Sequence, residues 1–547
     1  MQEHLRTIVS KALAELGATD VSFAVERPAD MAHGDYAVNA AMAAAKALGK
    51  NPRELAETLA ASLKDALGGD AEHVDVAGPG FVNITLSREA IAKLIDDAGK
   101  ESWGKESGNE GKRIMVEYSC PNPFKEMHIG HLMSTVIGEA FARIIANSGA
   151  AVIRDSYGGD VGPHVAKAIW GLRQKDITEP ATAKEIGDAY AHGSRAYEES
   201  EKAKEEIDAL NRAIYAGTDA ELMEIWRKGR DVALESFREI YKILGTAFDY
   251  YFFESETAGP GLEIVRDGLE KGIFEESDGA VIYRGEKKGL HTLVFITSQG
   301  TPTYEAKEIG LAFLKEERTP SDLVYILTAA EQIGHFQVVH AALEDIAPLL
   351  GAKTHHMPHG FLRLTTGKMS SREGNIVSAA GFLEDVMKLA AEKNPDPLIA
   401  QQVAVGAVKY MILRQSPGAD IIFDPEKSLS LAGDSGPYLQ YALVRAKKIL
   451  AYAGNGEGGS ETPSAPYDIE RLVIHFPEVA RRAAAELSPQ LIVQYLTELA
   501  GAWNGFYAKE QVLGSPEEAY KQRAARAFAN TMQAGLDLLG IPAPEKM

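Results

Sequence analysis

Two histidines three residues apart, His128 and His131, flank Ile129 and Gly130, and their spacing suits chemistry on an anion. At a helix entrance both imidazoles would share one face. They would lie beside backbone N–H groups that already favour a phosphate. Gly130 has no Cβ, so a ring or a phosphate can approach the main chain closely. Lys125 stands just before the pair. Taken alone, the tetrapeptide is open to two readings: a polar helix start or a phosphate site. A second cluster begins 240 residues after His128, with Lys368, Ser370, Ser371 and Arg372 between Gly367 and Gly374. Such a loop, hinged at glycines, could close a cation onto phosphates.

The elements around the histidines have to position them. Arg113–Val116 reads as a short buried strand. Leu132, Val136, Phe141, Ile144 and Ile145 recur at helical spacing, with Gly149 as the stop, and 151–157 reads as the next strand. The unit is strand–loop–helix–strand, with the loop at the carboxyl end of the first strand, where open α/β sheets bind ligands.

The histidine pair and the distant Lys368-Met-Ser-Ser loop resemble the HIGH and KMSKS signatures of class I aminoacyl-tRNA synthetases. The context Glu117-x-Ser-x-Pro-Asn122, followed by Lys125, is similar specifically to arginyl-tRNA synthetases, and the resemblance runs from near residue 20 to Met547. It implies an α/β fold: a Rossmann-type class I catalytic domain with an N-terminal α+β domain and a C-terminal all-α helical domain. It implies an arginine–tRNA ligase that makes arginyl adenylate from arginine and ATP, then charges the terminal adenosine of tRNA(Arg). His128, His131, Lys125 and Lys368 would be catalytic, and Gly130 and Ser370 would join His128, His131 and Lys368 at ATP. Mg²⁺ would arrive on the phosphates, without a protein cage.

Ser371 stands where the second KMSKS lysine is usual, and Lys125 takes the place that many arginyl enzymes give to a lysine upstream of the histidines. Residue by residue, the family's arginine pocket falls on Glu117, Asn122, Tyr304, Glu308 and Gln332. Glu308 replaces a common aspartate. It follows Tyr304 by one turn in a helical-looking segment, so the two would share a face. Other departures are Met133, where arginine is usual, and Val161, where tryptophan is frequent. Phe81 and Asn83 match the domain that touches the tRNA elbow. Tyr438, Tyr441, Tyr507 and Met547 match positions near the anticodon loop, where exposed aromatics can stack on unpaired bases.

A chain of 547 residues exceeds one core, so three or more domains are expected. The resemblance divides it at 1–97, 112–375 with a helical insertion near 175–245, and 376–547, with a polar linker at 98–111. Within the first part, Asn51-Pro-Arg-Glu54 opens a helix whose Leu55, Leu59, Leu63 and Leu67 form a core stripe. The net charge of −21 argues against indiscriminate coating of nucleic acid, so RNA binding rests on the motifs. A single cysteine, Cys120, excludes an internal disulfide and a multi-cysteine zinc site, and no zinc is expected. No long charge-free apolar run suggests a membrane span, and no secretory signal opens the chain. A cytoplasmic monomer is the expectation. Two rivals stay open: a HIGH-type nucleotidyltransferase acting on a small acid without RNA, and a non-catalytic tRNA-binding paralogue.

Overall fold

Ile114, Met115 and Val116 are almost fully buried, as a continuous apolar run in the middle of a parallel sheet must be. A computed structural model describes residues 1–365, 377–452, 459 and 461–547. The chain divides into two compact units: 1–105 with 441–482 and 494–535, and 106–440 with 483–493 and 536–547.

The second unit is built on a five-stranded sheet: β1 (Arg113–Glu117), β2 (Ala151–Gly158), β3 (Tyr250–Phe253), β4 (Leu323–Ala329) and β5 (Thr354–His359). The order is β5-β4-β1-β2-β3, and every pair is parallel. The chain runs outward one way from β1 and the other way from β4, so a crevice opens at the carboxyl ends of those two neighbours. The helices that matter here are α1 (Ile129–Asn147), α2 (Pro163–Arg173), α3 (Ala220–Leu244), α4 (Glu254–Glu270), α5 (Tyr304–Arg318), α6 (Ile333–Ile346) and α7 (Pro397–Leu413). Helices Ala183–Glu199 and Ala220–Leu244 bracket a third, Glu201–Ala216, in the stretch between β2 and β3. A three-stranded antiparallel sheet from Glu275–Ser277, Ala280–Tyr283 and Leu293–Ile296 precedes α5.

Helix α1 is strongly apolar, but it carries Glu139 and Arg143 and so is not a charge-free run. Among the described residues it is the one helix long and apolar enough to span a membrane, by length and composition, with a mean hydropathy of 1.3. It is 72% buried within the protein, packed on the sheet and on α7, so its apolar surface is core.

The loop after β1 is backbone-strained. Ser119, Cys120 and Phe124 all have positive φ (72°, 50° and 67°), at about 1–3 kcal/mol each. Packing holds them there. Phe124 is fully buried against α3 at Gly229, where a Cβ would meet its ring at 2.4 Å.

The first unit carries a four-stranded antiparallel sheet, in the order Val25–Glu26, Tyr36–Val38, Phe81–Leu86, Ala71–Ala77. Helix Pro52–Leu67 starts where Asn51 accepts the Arg53 N–H, and its four leucines are buried as the stripe requires. In the helical part, Trp503 stacks on Phe528 at 4.3 Å.

Candidate active site

His128 is the N-cap of α1. Its Nδ1 accepts the Gly130 N–H at 3.1 Å, and the Nδ1 of His131 accepts the His128 N–H at 3.2 Å. These backbone bonds assign the proton of each neutral ring to Nε2. The rings lie 3.7 Å apart, tilted by 30°. A Cβ at Gly130 would meet Cε1 of His128 at 2.9 Å, so the glycine lets that ring fold over the helix start. Burial, His128, Lys125 and His359 push His131 down to about 3, while burial and Lys125 lower His128. Both rings are therefore neutral N–H donors at pH 7. Lys125 lies beside them, its Nζ 5.3 Å from the centre of the Tyr190 ring.

The Ala379 N–H donates to Met127 O at 2.7 Å, the Ile129 N–H donates to Val377 O at 3.1 Å, and His128 and Ser378 form an antiparallel bridge. The chain leaving the second motif is thus tied by main-chain bonds to the first. Lys368 and Ser370, with Gly367, Ser371, Arg372 and Gly374, lie outside the described residues.

A different chemistry gathers on the sheet face toward α5. Met115, Ile153, Val324 and Ile326 form an apolar floor under Phe336. One step further along the strands, the paired positions Glu117 and Asp155 place two carboxylates on that same face. Lys315 of α5 meets both: it bonds Glu117, and its Nζ lies 2.7 Å from Asp155 Oδ2. Glu308, two turns earlier on α5, is only 5% exposed and has no ion pair among the described residues. Tyr304, one turn earlier again, is 41% exposed and interacts with Glu308 through its side chain. Burial and the charge of Glu117 raise the Glu308 carboxyl. Burial also raises Asp155 despite Lys315, and its two carboxylates keep Lys315 charged against burial. A cavity of ≈ 40 Å³, lined by Met115, Glu308, Leu311, Lys315, Phe336 and His356, borders the cluster.

The structure therefore brings His128, His131 and Lys125 together, and separately Glu117, Tyr304 and Glu308. Asn122 accepts the Gly159 N–H at 2.8 Å, and Gln332 ends a 3₁₀ turn at the carboxyl end of β4. Sequence reasoning missed Asp155, Lys315 and His164. Lys315 was detectable: Tyr304, Glu308, Leu311 and Lys315 follow one helical stripe. His164 donates from Nε2 to Gly159 O at 2.8 Å, and burial with Lys125 pushes it down to about 4. The departures at Met133 and Val161 are buried apolar side chains, 1% and 4% exposed, that serve packing.

Of the residues matched to RNA contacts, Phe81 is 39% exposed at the start of its strand, and Asn83 is half-buried two residues on. Tyr507 lies under the Arg445 guanidinium at 3.7 Å, with Tyr441 5.4 Å from the same group. The Tyr438 N–H donates to the Ser435 hydroxyl at 3.2 Å, and Met547 is partly exposed.

Residues 93–425 match the family described as tRNA synthetases class I (R), catalytic domain. With the doubly wound sheet and the histidine pair at its crevice, this defines a class I aminoacyl-tRNA synthetase. Residues 3–86 match the Arginyl tRNA synthetase N terminal domain, and 439–547 the DALR anticodon binding domain. The chain belongs to the arginyl-tRNA synthetase family. It is 32% identical over 506 residues to the arginine–tRNA ligase of Treponema denticola, covering 86% of this chain and 85% of that one. It is 30% identical over 587 residues to that of Treponema pallidum, covering 100% and 99%. The arginyl-tRNA synthetase structure of Thermus thermophilus superposes with a TM-score of 0.85 at 28% identity, covering 100% of both chains.

Proposed function

We infer that the chain is an arginine–tRNA ligase. The observation that carries this is the end-to-end match to arginyl enzymes, together with a neutral histidine pair at the crevice of the sheet. In the first step the arginine carboxylate attacks the α-phosphorus of ATP and expels pyrophosphate. In the second, the 2′-hydroxyl of the tRNA's terminal adenosine takes the arginyl group and AMP leaves. Positioning and charge stabilisation dominate such chemistry.

His128 and His131 would donate from Nε2 to the α-phosphate as its charge redistributes, alongside the α1 N-terminus and Gly130. Lys125 supplies a positive charge next to both rings. Lys368 and Ser370 would hold the departing phosphates; what supports this is the main-chain tie from Val377–Ala379 to the histidine motif. Glu117, Asn122, Tyr304, Glu308 and Gln332 would hold arginine, since buried carboxylates match a guanidinium in charge and planar geometry. No group of three metal-ligating side chains occurs among the described residues, so Mg²⁺ accompanying ATP would be held by phosphate oxygens. Residues 1–97 with Phe81 and Asn83 would meet the tRNA elbow. Residues 376–547 would read the anticodon through Tyr438, Tyr441, Tyr507 and Met547. A monomer is the proposed active unit, and the cytoplasm its proposed compartment.

The test is aminoacylation with each of the twenty amino acids and matched total tRNA. Arginine alone should charge. Charging by another amino acid would overturn the reading, and adenylate formation without charging would favour the nucleotidyltransferase.

A further inference from the structure

The acid cluster holds more negative charge than its own cation can neutralise. Glu117, Asp155 and Glu308 are all buried, and Lys315 is the cation among them. Lys315 is engaged on two sides, by Glu117 and by Asp155. Asp155 Oδ2 meets Lys315 at 2.7 Å, and its oxygens have no other hydrogen-bond partner, so Lys315 is its compensation. Glu308 is left over. A hydrogen bond with Tyr304 and the charge of Lys315 favour its ionised form, but burial and the charge of Glu117 outweigh them. Tyr304 shares its helix, Tyr157 of β2 and Glu254 of α4 sense its charge, and Glu254 is already paired with Lys307 at 2.6 Å. A buried carboxylate without a cation keeps a proton until a cation arrives.

We propose that Lys315 is a positioning residue that closes Glu117 and Asp155 into an ion triad, leaving Glu308 as the carboxylate that exchanges its proton for the substrate's guanidinium. This rests on the reading that Glu308 lines the arginine pocket. The exchange balances: a neutral carboxyl and a cationic guanidinium become an ion pair and one proton in solvent. Burial and Glu117, which raise the Glu308 carboxyl, make the free site the protonated one near neutral pH. The sign follows. Below the raised value arginine must expel a proton, so its affinity rises with pH, about tenfold per unit, and levels off above it. A carboxylate with an ordinary, low titration range would show no such slope near pH 7.

The experiment is calorimetric titration of the full chain with L-arginine at pH 7, in two buffers of different ionisation enthalpy. Wild type should release about one proton per arginine. Glu308→Gln should release none and bind arginine more weakly, whereas Asp155→Asn should still release one. Lys315→Arg keeps the cation and should keep the release. Lys315→Met, where it folds, should still release about one, because a single guanidinium brings a single charge and Glu117 and Asp155 then keep their own protons. Wild type releasing no proton, while Glu308→Gln still weakens binding, would overturn the exchange and leave the pocket assignment standing. Arginine affinity unchanged in Glu308→Gln would overturn the pocket assignment itself. Loss of release in Asp155→Asn or in Lys315→Arg would move the exchanging proton off Glu308.

Discussion

The carboxyl end of β1 feeds two chemically opposite places. One is the histidine edge, where His128, His131 and His164 are each fixed by a ring–main-chain hydrogen bond and all feel the charge of Lys125. The other is the acid cluster, where three carboxylates share one lysine. Burial acts on both, with opposite proton consequences. It strips protons from imidazoles and keeps them on carboxyls. The free site is therefore held closer to electrical neutrality than its composition suggests. On the proposed reading, charge would enter with the substrates: phosphates would meet neutral N–H donors, and a guanidinium would meet an acid that has a proton to give up.

If the histidines act on charge that develops in the transition state, His131→Ala should lower kcat on the order of 10²–10³ with little change in the KM for ATP. A change confined to that KM would make them ground-state ligands. On the other side, Glu308→Gln should raise the KM for arginine roughly a hundredfold, about 3 kcal/mol for one member of a buried charge pair, and leave ATP untouched. Steady-state kinetics with each substrate varied separates the two patterns. Lys125→Ala should slow adenylate formation by about tenfold, the scale of one charge-assisted contact. Pyrophosphate exchange, run with tRNA present, reads it, and a near-normal rate would remove Lys125 from the chemistry.

A further effect, separate from catalysis, is on stability in acid. His164 titrates near 4 when folded and near 6.5 when unfolded, so the unfolded chain takes the proton first as pH falls. Stability should drop between about pH 6.5 and pH 4, by about 1.4 kcal/mol per unit for this group. His164→Gln keeps a donor for Gly159 O and should remove that slope in denaturant melts at pH 7 and pH 5.

The two places also differ in how far the sequence disclosed them. The histidine edge is contiguous: Lys125, His128, Gly130 and His131 lie within one turn of a strand–helix junction, so spacing alone exposes it. Strands β1 and β2 and the helix between them were legible for the same reason, since their apolar runs are local, whereas β3 and β5 were not legible as strands. The acid cluster is assembled from β1, β2 and two turns of α5. Only register tells that Glu117 faces Asp155, and only packing tells that Lys315 turns inward. Glu308 looks in sequence like any surface helix carboxylate, and 5% exposure excludes that. Cys120 shows the converse: a lone cysteine beside the motif proves to be part of a strained loop, with its sulfur accepting the Tyr157 N–H at 3.5 Å.

The groups that set His131 are His128, Lys125 and His359, and those that set Glu308 are Glu117, Tyr304, Lys315 and Glu254. With no partner in common, the two places should act independently. The direct test is kcat/KM for arginine in aminoacylation by His131→Ala, Glu308→Gln and the double variant. Independence predicts that the double loss equals the product of the single losses, within about a factor of two. A double variant no worse than its worse single parent would show that the histidine edge and the acid cluster work as one unit, against this account.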